Sequence, residues 1–312
     1  MMTRFLAVFC LSSSFLVAEP GEGHLLASKS WGPPAGMVLQ LSSTSSLLHG
    51  ELKMVNSGSW STGTTRYLGG QSLVAKWIDD KILEVDFKER RGTYRRFLNG
   101  QRTNEIQPSP LEESVVHMKQ VEGEWIAEVV ERKKKEEAED KEDEEDEEKE
   151  EDEEKEEDEE IDADRLEREL GEIEAAMEND YSLNLFGEQA RKVGETWKVK
   201  NPRLPWFKDE KVLSGEATVS FEKVEDVNGD PAAFLSFSVT VRTERPGDQK
   251  MVVDFEGKGQ VVRSLKHLVD YEMSGAGAID MTVETGESSY VETVGKYQLS
   301  RKIELSPIED KK

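Results

Sequence analysis

The chain has 312 residues, 36% of them hydrophobic, and 66 acidic against 41 basic side chains give it a net charge of −25. That much apolar matter excludes wholesale disorder and is enough for one large β domain or two small ones. The negative balance argues against a nucleic-acid partner, whose phosphates the protein as a whole would repel.

The opening residues, MMTRFLAVFCLSSSFLVAEP, carry a basic Arg4 and then an apolar stretch from Phe5 to Val17. Such a stretch is too short to span a bilayer as a helix, but it suits a secretory signal peptide over residues 1–18. Cys10 is the only cysteine and lies inside it. Cleavage after Ala18 would therefore leave a chain without disulfides, CxxC chemistry or thiolate metal sites. No later segment is long and apolar enough for a transmembrane helix. The expectation is an exported protein, periplasmic or secreted, with residues 19–35 as a flexible leading segment.

An N-terminal β region is expected over residues 36–130. Short strands are read at Met37–Leu41, Gly50–Val55 and Ser72–Ile78. The clearest pattern is Ile82–Lys88, where Leu83, Val85 and Phe87 alternate with Glu84, Asp86 and Lys88, the period of a half-buried strand. Arg90, Arg91 and Gly92 are read as a turn into a partner strand at Thr93–Leu98, followed by an Asn99–Gly100 turn. Val115–Gln120 and Trp125–Val130, around Glu122–Gly123, make a further hairpin.

Residues 131–160 hold 22 acidic and 7 basic side chains and one alanine, so 15 of the chain's 25 negative charges are concentrated there. Too little apolar surface is present to offset the entropy of ordering them. Residues 131–163 are expected to form a disordered acidic linker that binds divalent cations weakly and diffusely. An amphipathic helix follows over 164–180, with Leu166, Leu170, Ile173 and Met177 at offsets of 0, 4, 7 and 11.

The C-terminal β region, 181–306, alternates most strongly, and residues 307–312 form a tail. Ala233, Leu235, Phe237, Val239 and Val241 share one face, opposite Ser236, Ser238, Thr240 and Arg242. Ala217, Val219 and Phe221 precede them, with Asn228–Gly229 between, which predicts a long antiparallel hairpin. The pattern returns at Met251–Phe255, Ile279–Val283, Tyr297–Leu299 and Ile303–Leu305, with turns at Arg245–Gln249 and Thr285–Ser289. The fold class is mainly β: an antiparallel curved sheet, half-barrel or sandwich with one amphipathic helix.

No nucleophile elbow, zinc-binding HExxH or phosphate-binding loop is present, so no catalytic residue, metal ligand or cofactor is assigned. The GxG pairs Gly257–Gly259 and Gly275–Gly277 are read as turn or bulge glycines, since no βαβ unit surrounds them. His24, His49, His117 and His267 are widely spaced. Asp226–Asp230, DVNGD, lacks calcium-loop spacing and is read as hairpin turn chemistry. Lys88, Arg90, Arg91, Arg95 and Arg96 crowd one stretch. They form either an anion-binding patch for phosphate, acidic polysaccharide or acidic lipid, or a dock for the acidic linker, or the favoured alternative, an edge kept from aggregating by its charge. Of the six tryptophans, Trp206 between Pro205 and Phe207 is the candidate surface aromatic.

The stretch VGETWKV at 193–199 and FEGKGQVVRSLKHLVDYEMSG at 255–275 resemble uncharacterised exported β-rich proteins from bacteria. The likeness covers the last third of the chain. It implies a sheet-dominated exported domain and brings no functional residues. The leading functional expectation is an exported, non-enzymatic binding or scaffolding protein. One alternative is a periplasmic carrier or sensor of an apolar or lipid-like ligand in a curved β-sheet, in a cavity lined by Leu235, Phe237, Val239 and Met281. A helix over 164–177 filling that concavity would exclude it. A second alternative is a hydrolase or isomerase built from polar residues converging in a cleft.

Overall fold

Alternating side chains carry most of the chain into long strands. The computed structural model describes residues 23–27, 32–132, 163–174, 177, 181–204, 211–245 and 250–308. Expectations for the signal peptide, most of the linker, the Arg245–Gln249 turn and Trp206 therefore fall wholly or largely outside the described residues. The strands are β1 (Met37–Asn56), β2 (Ser59–Trp77), β3 (Ile82–Leu98), β4 (Gln101–Pro108), β5 (Ser114–Val121), β6 (Glu124–Arg132), β7 (Thr196–Lys200), β8 (Lys211–Val227), β9 (Asp230–Arg245), β10 (Met251–Ser264), β11 (Asp270–Gly286) and β12 (Ser289–Pro307). Two helices are described, α1 (163–174) and α2 (Tyr181–Phe186).

All twelve strands belong to one open, curved antiparallel sheet, ordered β6-β5-β3-β2-β1-β12-β11-β10-β9-β8-β7, with β4 pairing β3. The two β regions on either side of the acidic run thus share one sheet, joined where β1 lies along β12 from Met37↔Pro307 to Asn56↔Ser289. The expected hairpins at Glu122–Gly123 and Asn228–Gly229 are present as β5–β6 and β8–β9. At the second, Asn228 and Gly229 both have positive φ, and the Gly229 N–H donates to Asp226 Oδ1 at 2.9 Å.

Three local readings are corrected. No turn interrupts residues 90–92. In β3, Lys88 is one extra residue opposite the Ser72–Leu73 step, so the strand bulges and the face changes phase. Leu83, Val85 and Phe87 therefore share a face with Arg90, Gly92 and Tyr94. Likewise the short strands 37–41 and 50–55 are one twenty-residue strand with an irregularity after Leu48. Its serine-rich middle looked loop-like but is paired on both sides. The GxG glycines lie in mid-strand, as Gly257↔Gly277 and Gly259↔Gly275. A side chain at Gly277 would collide with the Phe255 ring, and one at Gly259 with Phe237. Gly257 and Gly277 thus clear space for the Phe255 ring, and Gly259 for the Phe237 ring, to lie along the curved sheet.

One face of the sheet, the inner face, is apolar and covered. Leu166, Leu170, Ile173 and Met177 pack on Leu39, Leu41, Leu73, Leu83 and Phe87 of β1 to β3. Leu185 and Phe186 of α2, with Trp197 and Leu204, pack on Phe221, Leu235, Phe237 and Val239. Leu26 and Ala27, expected to be flexible, are buried in this second cluster.

Two polar ties fasten these covers. Arg263 and Asp270 form an ion pair with side chains only 3% and 0% exposed. The Arg263 Nε–H donates to the Leu26 carbonyl, and the Tyr181 hydroxyl donates to Asp270. At the other end, Arg90 reaches Glu169 at 3.3 Å and Glu172 at 3.7 Å on α1. Glu174 accepts the Ala127 N–H of edge strand β6 at 2.7 Å.

Candidate functional site

With the apolar face covered, the opposite, open face is the surface left for binding. Register assembles it from residues far apart in sequence. One ladder runs Ser220, Ser236, Gln260, Ser274, Ser300 and Thr44, each paired with the next across β8, β9, β10, β11, β12 and β1. The adjacent ladder runs Thr218, Ser238, Lys258, Ala276, Gln298 and Ser46. Directly opposed side chains share a face and stand within contact distance of their neighbours.

Together the ladders line a trough of about 720 Å³, with the Phe237–Gly259–Gly275–Leu299 row forming its floor between them. Short hydroxyl side chains, and the two glycines, keep the floor low. Lys258 is the single ionisable residue among the lining residues. At one end Ser236 donates to Glu222 Oε1 at 2.5 Å, and Thr196 and Ser220 hydroxyls are 3.0 Å apart. Beyond the Lys258 ladder the surface carries charges of both signs, with Arg242 paired to Asp254 at 3.2 Å. Asp254 and Asp280 are cross-strand partners. Burial, then Glu292, then Asp254 push the Asp280 carboxyl above its ordinary range. The trough can therefore offer hydroxyl and amide hydrogen bonds and one cation to a polar ligand.

The five basic residues singled out in the sequence do not converge. Arg90 and Arg96 point to the inner face, Arg90 into α1 and Arg96 over the Tyr94 ring at 5.5 Å. Arg91 and Arg95 share the open face, with Glu89 at 3.2 Å and Asn104 at 3.1 Å respectively. Lys88 pairs with Asp86 at the bulge. Leu235, Phe237 and Val239 are buried in the core under α2, and Met281 packs at its margin. Helix α1 covers the other half of the inner face.

The four histidines are dispersed. His24 bridges to Arg191, His49 stands in the β1 irregularity with positive φ, His117 faces Glu84 and His267 faces Asp230. Among the described residues no group of three or more His, Cys, Asp and Glu is placed to hold a metal ion. No described helix is long and apolar enough to cross a membrane.

The trough was not found from sequence, although a signal existed. Wet positions of sheet strands are commonly long and charged, yet here Ser, Thr and Gln recur at them in six strands. Which of them stand side by side depends on register, which no single strand reveals.

No family model matches the chain, and no curated protein matches it. Among solved structures, one reported under lipid–protein interactions in lipovitellin aligns with 89% of this chain at 9% identity and a TM-score of 0.39. The chain spans about a quarter of that protein's length, 26%.

Proposed function

We propose that this is an exported, non-enzymatic binding protein that holds a hydroxyl-rich molecule with one anionic group, such as a sugar acid, in the open-face trough. The observation that carries the reading is the lining itself: two ladders of hydroxyls and amides with Lys258 as the single charge. A lone lysine among neutral donors and acceptors suits recognition of a single anionic group. Export rests on the residue pattern of positions 1–18. An apolar carrier would need Leu235, Phe237 and Val239 to face a cavity, whereas these side chains are buried in the core cluster with α2.

The test is a thermal-shift series on the full chain with galacturonate and glucuronate against the neutral sugars. Ligand at a hundredfold excess over Kd stabilises the fold by about 2.7 kcal/mol. A shift with the acids that disappears in Lys258→Met, while that variant keeps its unliganded Tm, supports the reading. Absence of a shift with every sugar acid, or an equal shift in Lys258→Met, refutes it.

A further inference from the structure

A second part of the open face differs from the trough in both charge and covering. Where β2, β3 and β4 run together, Arg66 pairs with Arg95, Phe97 with Arg102, and Leu68 and Ile106 flank Thr93. Arginines and large apolar side chains therefore stand two residues apart on the same face of neighbouring strands, roughly 4.8 Å from strand to strand. Leu68, Phe97 and Ile106 are 60%, 51% and 63% exposed. The other three positions of this nine-residue face are threonine or asparagine, so no carboxylate stands among them. Among the described residues, none of Arg66, Arg95 and Arg102 forms an ion pair.

On the open side of this wing eight of the nine positions are exposed, and only Thr93 is partly buried. Seven of the eight residues of β4 are exposed, and among the described strands it pairs with β3 alone. Near the adjoining β1–β2 turn, Trp60 is 70% exposed. Contiguous exposed apolar groups mark a surface meant to be covered. Here they are mixed with guanidiniums that form no ion pair among the described residues, on a chain of net charge −25. Guanidinium forks match phosphate oxygens, while Trp, Leu, Phe and Ile favour the boundary between headgroups and acyl chains.

We infer that the β2–β3–β4 wing docks on a membrane surface rich in anionic phospholipid, its arginines on the phosphates and its apolar side chains in the interface. The inference is independent of the trough, since Lys258 and its ladder mates on β8 to β12 and β1 take no part.

The test is flotation of the full chain with vesicles of phosphatidylglycerol and phosphatidylcholine, against vesicles of phosphatidylcholine alone. Binding is expected only to the anionic vesicles, and it should weaken as salt rises. Each arginine near such a surface contributes about fivefold, so R66Q/R95Q/R102Q should reduce partitioning on the order of 100-fold. L68S/F97S/I106S should also release the protein. Both variants change only surface side chains, and their circular dichroism should match the unmodified chain. Lys258→Met should float as the unmodified chain does.

Failure to float with anionic vesicles, equal flotation with neutral ones, or unchanged binding by R66Q/R95Q/R102Q would each overturn the inference. So would a dimer in sedimentation velocity that L68S/F97S/I106S abolishes while vesicles are ignored, because the face would then belong to a second copy.

Discussion

Replacing Asp270 by alanine should be among the most damaging single changes in the molecule. Asp270 is fully buried, accepts from both Arg263 and Tyr181, and belongs to the sheet, whereas Tyr181 belongs to α2. Removing its carboxylate strands the Arg263 guanidinium, 3% exposed, over the Phe186 ring with the Leu26 carbonyl as its remaining hydrogen-bond acceptor among the described residues. Breaking one side of a buried pair costs about 3–5 kcal/mol, because the remaining charge cannot be hydrated. The orphaned Tyr181 hydroxyl adds about 1–3 kcal/mol where water cannot reach it. An expected loss of about 4–8 kcal/mol is a large part of the total for a protein domain.

Urea unfolding at pH 7 measures the change, with a constant m-value showing that the same surface is still exposed. The triple variant Arg263→Met, Asp270→Leu, Tyr181→Phe separates charge from packing. Apolar replacement of a buried pair is often neutral, so it should recover most of the loss. It should remain about 1.5–3 kcal/mol short, the value of the charged hydrogen bond to Leu26. A loss below about 1 kcal/mol for Asp270→Ala would mean that water reaches the pair. The fastening of residues 23–27 and α2 would then have to come from apolar contact alone.

Tyr181 has its phenol pKa pushed well up, first by burial and then by the Asp270 charge. In the unfolded chain it ionises near 10, so above that pH the unfolded state loses a proton that the folded state keeps, and stability falls as pH rises toward the folded value. Tyr181→Phe should flatten this alkaline decline in urea midpoints measured from pH 9 to 12, although it starts lower. Arg90→Ala should cost about 1–3 kcal/mol and raise hydrogen exchange in residues 163–174 more than in β8 to β11, since Arg90 ties α1 to the sheet. Deleting residues 136–160 should leave the thermal midpoint nearly unchanged, because the described sheet is built without them.

How much of this was legible depended on the range of the interaction. The β8–β9 hairpin was read correctly because alternation and Asn228–Gly229 are both local, and so was the apolar stripe of Leu166, Leu170 and Ile173. The pairing of β1 with β12 joins residues more than two hundred positions apart, such as Met54 with Val291. Neither strand's pattern specifies its partner. Lys88 misled because a bulge and a turn break alternation in the same way. Gly257 and Gly277 misled because glycine in a strand usually marks a turn or a bulge. Here the cause is the Phe255 ring lying over them, a contact that appears only once register is known.

The same limit explains why the inner face was easier to read than the open one. Burial imposes apolarity on every inner position, so the requirement repeats along each strand and can be counted. The open face is under no such uniform demand, and its composition changes along the sheet: hydroxyls over β8 to β1, carboxylates at Asp254 and Asp280, guanidiniums beside leucine, phenylalanine and isoleucine on the wing. Solubility alone is served by long charged side chains of both signs spread evenly. A stretch of short hydroxyls six strands wide adds little solvation and leaves the sheet surface open to approach, and an uncovered apolar wing works against solubility. Stability explains neither departure, since exposed positions of this kind change folding free energy by roughly half a kcal/mol or less. Both departures occur on the face that no part of the described chain covers, and for that reason the open face, not the core, is where the protein's binding activity is assigned.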